Sequence, residues 1–133
     1  MNDVNSPVRQ RFAVSHLNEG DFKPDGLRPY SAYRDLGIAA ATQGLATAQV
    51  IRMTAPYAEK FRQRHHHDVQ FQMVYVLKGW FETELEGEGA HLMQAGSCWI
   101  QPPGIRHTVL GWSDDCELLE IVLPADFATA NDP

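Results

Sequence analysis

From Thr47 onward the chain gathers its apolar residues into short spans, broken by Gly, Pro or Asp roughly every ten residues. TAQVIRM (Thr47–Met53) is β-branched and apolar, with helix breakers beside it. QFQMVYVLKG (Gln70–Gly79) reads as a strand that stops at its glycine, and WFETELE (Trp80–Glu86) alternates large apolar with acidic residues before GEG. AHLM turns at QAG, SCWIQ stops at Pro102-Pro103-Gly104, and IRHTVLGW and CELLEIVL flank the turn SDD. No helix-period segment exceeds about two turns. This pattern predicts an all-β chain, a sandwich or barrel.

Within Gln70–Gly79, Val74 and Val76 share one face while Phe71, Met73, Tyr75 and Leu77 share the other. A strand with a solvated face would alternate with polar residues. The second face is therefore expected to be covered by the N-terminal segment or by another subunit, and a homodimer is expected. Residues 1–46 are irregular: Asn18–Gly37 is rich in Gly, Pro and Asp. They are expected to be an N-terminal extension of loops and short strands packing on the barrel or on a partner, with residues 47–125 as the barrel itself.

The length of 133 residues suits one domain. A net charge of −6 argues against a general nucleic-acid binder, which shows a basic patch. No apolar run reaches the roughly 18 residues that cross a membrane. MNDVNSPVRQRF lacks the apolar stretch of a secretory signal, so a cytoplasmic location is expected. Two cysteines, Cys98 and Cys116, are too few for a disulfide framework and are expected as buried, reduced thiols.

The chemistry concentrates in RHHHD. On an extended strand His65 and His67 project to one face and His66 to the other. Such a pair can set two imidazole nitrogens about 2.0–2.1 Å from one ion. Taken alone, the same three residues read equally well as a solvated cluster. The rest of the chain adds spacing: His65, one residue, His67, four residues, Gln72, six residues, Gly79, and then Gly96, five residues, Pro102, one residue, Gly104, two residues, His107. This resembles the two signature motifs of the cupin superfamily, separated here by Trp80–Ala95, as in small single-domain bacterial cupins. The resemblance covers Gln49 to Leu123. Three positions depart from it: Glu59 and Gly111 stand where the motifs have a glycine and an asparagine, and Gln72 stands where they have a glutamate ligand.

The resemblance implies a double-stranded β-helix, a jelly-roll barrel with one divalent ion near its mouth. It implies His65, His67 and His107 as ligands, with Gln72 as a possible fourth. Residue reading leaves three roles for Gln72: direct ligand, a group that orients a ligand, or a buried amide paired with backbone. A neutral amide in place of a carboxylate lowers affinity for the ion, leaves its charge uncompensated and draws anionic ligands. Fe(II), Zn(II), Ni(II), Cu(II) or Mn(II) all suit three histidines. Val109 shares a face with His107 and, with Val74 and Val76, is expected to form an apolar pocket wall for a small-molecule substrate. Trp99, Tyr75 and Phe81 line the cavity or simply fill the core. Arg52 either anchors a substrate carboxylate or lies in solvent at a strand end. Glu120, inside an apolar strand, either faces outward or acts as an acid or base. His66, His91 and His16 carry no signal of their own. The expected activity is that of a metal-dependent enzyme of dioxygenase type; a redox-neutral zinc-type cyclase, isomerase or lyase, and a non-catalytic binding module, are the alternatives.

Overall fold

The computed structural model describes residues 9–24 and 28–133, so residues 1–8 and 25–27 of the expected N-terminal extension lie outside the described residues. The breakers read from the sequence separate ten short strands. One sheet runs, in spatial order, β1 (Ser31–Asp35), β2 (Thr47–Met53), β9 (Glu117–Leu123), β4 (Phe71–Lys78) and β7 (Cys98–Ile100). The other runs β10 (Thr129–Asn131), β3 (His65–His67), β8 (His107–Trp112), β5 (Trp80–Leu85) and β6 (Gly89–Gln94). All pairings are antiparallel. Apart from β1–β2 and the β5–β6 hairpin, the chain changes sheet at every connection, which winds it as the double-stranded β-helix that the motifs imply. The helix α1 is only Ile38–Ala41. No helix among the described residues is long and apolar enough to cross a membrane.

Two motif positions show why the residue there is what it is. Gly79 makes the link from β4 to β5 with φ +69°, and a Cβ there would strike the Ser113 and Asp115 side chains. Gly111 sits beside an irregularity in the β5–β8 pairing, where Leu110 is skipped, and a Cβ on it would lie 3.2 Å from the Trp80 ring. The aromatic ring fills the space that a side chain at 111 would take.

The core lies between the sheets. Val74, Val76, Phe81, Trp99, Trp112 and Leu118 are buried there together, fed from both layers by period-two alternation. Strand β1, inside the segment 1–46, forms the edge of the first sheet, and β10, beyond residue 125, forms the edge of the second. Neither has a sequence pattern longer than five residues to announce it.

The two thiols part company. Cys116 is fully buried and its thiol is pushed up to about 12 by burial. Cys98 is exposed, against expectation, because in β7 it alternates with the inward Trp99. The outer face of β4 also stays uncovered among the described residues. Phe71, Tyr75 and Leu77, with Ile100 of β7, remain exposed. The described N-terminal residues run elsewhere: the Arg11 N–H donates to the Ala41 carbonyl (3.0 Å), and Arg34 Nη2 donates to Ser15 Oγ (3.0 Å).

Candidate metal centre

His65 and His107 are direct cross-strand partners between β3 and β8, and His67 follows two residues along the same inward face. The corner before β8 is tied to β3, since the Gly104 N–H donates to the His67 carbonyl (3.1 Å). The three rings are therefore neighbours, with centroids 4.1 to 5.1 Å apart. One ring nitrogen from each lies within 4.8 Å of the others.

The groups behind the rings set their chemistry. His65 Nδ1 lies 2.7 Å from the Gln63 carbonyl oxygen, and His107 Nδ1 lies 3.1 Å from that of Ile105. A carbonyl only accepts, so Nδ1 carries the proton in both and Nε2 keeps its lone pair when the ring is neutral. His67 Nδ1 meets Thr129 Oγ1 at 2.7 Å, a hydroxyl that can serve either tautomer. Burial lowers the pKa of all three rings: His65, opposed by His107 as well, to about 4, and His67, opposed by His107 and His65, to about 3. The Arg28 guanidinium pushes each of them down further. At neutral pH the cluster is thus three uncharged imidazoles facing one point. This is the state that metal ligation requires.

Gln72 is almost fully buried on the inner face of β4. Its Nε2 donates to Glu120 Oε2 at 2.9 Å, and Gln49 Nε2 donates to Glu120 Oε1 at 3.0 Å. Glu120 therefore faces inward, its carboxylate held between two amides, and burial nonetheless raises its pKa. With its amide nitrogen committed to Glu120, Gln72 has its carbonyl oxygen left to offer an ion.

These groups line a cavity of about 220 Å³ between the sheets. Val74 and Val109 form part of its apolar wall, with Phe81, Trp99, Trp112 and Leu118. Phe81 and Trp99 are at once core and lining, their rings stacked at 5.9 Å. Val76 shares the face of Gln72 and Val74 but lies deeper, fully buried in the core and not among the lining residues. Tyr75 is on the outer face. Arg52 is outside the cavity: Gln49, Ile51 and Met53 of β2 line it, so the alternate residue points away. There it donates to Glu117 (3.0 Å) and Glu19 (3.0 Å) and covers the Phe22 ring at 3.8 Å. His66 pairs with Asp132, and His91 on β6 bonds the Glu88 carbonyl.

Two groups that line the cavity, Arg28 and Gln49, and one behind His67, Thr129, are not singled out by the motifs. Gln49 had a usable signal, since it and Glu120 are polar residues at the centres of two apolar strands, and they prove to be cross-strand partners. Arg28, in an irregular stretch, and Thr129, in a three-residue strand, had none.

The comparisons with known proteins agree with this geometry. A family profile described as "Cupin domain" matches residues 51–122. No curated protein matches the chain in sequence. Among solved structures, KdgF from Halomonas sp. superposes with a TM-score of 0.62 at 20% identity, over 83% of this chain and 94% of that one. The polyketide cyclase RemF from Streptomyces resistomycificus gives 0.67 at 18% identity, over 89% and 84%. A salicylate 1,2-dioxygenase from Pseudoaminobacter salicylatoxidans, as an adduct with gentisate, gives 0.63 at 12% identity, over 83% of this chain but 31% of that one. At these identities the likeness is one of fold.

Proposed function

The chain belongs to the cupin domain family, and from that premise we propose that it is a metal-dependent enzyme acting on a small molecule in the barrel cavity. His65, His67 and His107 hold one divalent ion in this reading, with the Gln72 carbonyl oxygen as a fourth donor. The observation that supports it is the pair of backbone carbonyls behind His65 and His107, which leave Nε2 free as the donor atom of two buried, neutral rings. Fe, Zn, Ni or Mn suits such a set. When bound, the ion would supply Lewis acidity for an oxygen of the substrate.

The donor count favours the redox-neutral class over the dioxygenase type that the sequence alone put first. Three histidines leave room for a chelating substrate together with O₂, whereas a fourth protein donor takes one of those positions. All four donors are uncharged, which keeps the ion strongly electrophilic. Dioxygenase chemistry is the reading if Gln72 serves Glu120 alone. The test is the metal content of tag-free protein purified without added metal, followed by oxygen uptake with small chelating acids. Stoichiometric zinc or nickel without oxygen uptake supports the redox-neutral reading. Iron with oxygen uptake restores the dioxygenase, and protein that takes up no metal from a buffered mixture refutes both.

We also propose that two copies pack through the outer face of β4 and β7. Phe71, Tyr75 and Leu77 of β4 and Ile100 of the paired β7 are all exposed, the kind of apolar grouping that marks a contact surface. Light scattering should give the mass of a dimer, and Ile100→Glu should give a monomer; a monomeric wild type refutes the interface.

A further inference from the structure

Arg28 lines the cavity together with the histidine cluster. Its backbone is held by two hydrogen bonds, its N–H donating to the Tyr33 hydroxyl (3.1 Å) and its carbonyl accepting from the Ser31 N–H (3.4 Å). The Nη2 atom is buried and has no hydrogen-bond partner among the described residues. A guanidinium nitrogen removed from water without an acceptor is costly, and native proteins seldom leave one so. The nearest chemistry does not relieve it. Glu120, the one carboxylate among the lining residues, has both oxygens engaged by the amides of Gln49 and Gln72.

Charge balance points the same way. The three rings and Gln72 are neutral, so an ion held by them would keep its full charge, and Arg28 adds another. Glu120 offsets one of these charges at most. Much of the remaining lining is apolar and aromatic, with Phe81, Trp99, Trp112 and Leu118 among it. At about 220 Å³ the cavity falls below the usual range for ligand pockets, roughly 300–1,000 Å³.

We propose that Arg28 is the binding residue for a carboxylate of the substrate, and that the substrate is a small acid with a flat, apolar body. The guanidinium fork matches a carboxylate in bidentate geometry, and the carboxylate supplies the acceptor that Nη2 lacks. This deepens the metal-enzyme reading and rests on it only for the word substrate; the binding of an acid by Arg28 stands without an ion.

The test uses benzoate, 2-furoate and pyruvate, each against its neutral amide. Binding to full-length protein is followed by calorimetry and by tryptophan fluorescence, because Trp99 and Trp112 line the cavity. It is done as purified and after stripping with a chelator. Wild type should bind at least one acid about tenfold or more tighter than its amide in both forms, the scale of a hydrogen bond to a charged group. Arg28→Gln should abolish the preference without lowering metal content. Arg28→Lys should keep part of it, and serves as the variant if Arg28→Gln does not fold. No acid bound above its amide, an unchanged preference in Arg28→Gln, or phenyl phosphate bound tighter than benzoate overturns the proposal. Metal content is read separately, so protein that prefers acids but never holds metal sinks the enzyme reading and leaves this one.

Discussion

His65, His66 and His67 are three identical residues in a row on one strand, and they do two different things. The outer pair turn inward, are buried, and are backed by a carbonyl and a hydroxyl. The middle one turns outward and meets the Asp132 carboxylate at 2.9 Å, beside Arg106 at 3.3 Å. His66 first, and Arg106 after it, hold the Asp132 carboxyl below the usual carboxylate range. The strand's period of two assigns each ring to a face, but the group behind the ring assigns its chemistry. A carbonyl fixes a tautomer and leaves a lone pair for an ion; a carboxylate accepts a hydrogen bond from the ring and so ties the C-terminal strand to the sheet.

The sharpest way to break the inner half of this contrast is to remove a ring. His107→Ala deletes the donor that packs closest to His65, and metal retained on purification should fall to background by mass spectrometry. Metal content equal to wild type would refute the site. A smaller effect is expected from the group behind the ring. Thr129→Val removes the partner of His67 Nδ1 while keeping the shape, and should weaken metal binding by about 10- to 100-fold in a chelator competition. An unchanged affinity would mean that packing against Phe127, 5.6 Å away, already orients the ring.

That His65, His67 and His107 come together was legible from the sequence, and much of what surrounds them was not. His65, His67, Gln72 and His107 sit at fixed spacings because a two-residue period and one glycine-proline corner bring them together, and both are local features. The groups behind the rings are a different matter. Gln63 and Ile105 are two residues from their histidines and act through backbone carbonyls, which any residue type supplies. Thr129 is 62 residues from His67. Arg28 reaches the cavity from an irregular segment, so no periodicity aims it. Arg52 shows the same limit from the other side: an arginine at a strand end suggests an anchor, yet the parity of β2 turns it toward Glu19 and Glu117. Both faces of β4 read as apolar, and only the packed structure tells that the outer one is left exposed among the described residues.

The contrast also has a pH signature, expected to be smaller. Because the inner rings titrate lower in the folded protein than unfolded, the unfolded chain binds more protons from pH 6.5 down to about 4 for His65 and about 3 for His67. Stability of the stripped protein should therefore fall as pH drops through that window and be unaffected by these rings above it. Glu120, raised by burial, acts in the opposite sense and blunts the fall. His67→Gln should lose less melting temperature between pH 7 and pH 5 than wild type does. Equal losses would show that the rings charge freely.

The least change is expected from His66→Ala, one residue along the chain from each of the two inward histidines. The His66–Asp132 pair lies at the rim, with the ring 31% exposed, and such pairs contribute about 0–1 kcal/mol. The substitution leaves the β3–β10 pairing in place, because that rests on backbone hydrogen bonds opposite Ala130, and it leaves Arg106 to pair with Asp132. Metal content should equal wild type and the melting temperature should shift by a few degrees at most. If metal were lost instead, the middle ring would belong to the same site as its neighbours, and facing alone would not have separated them.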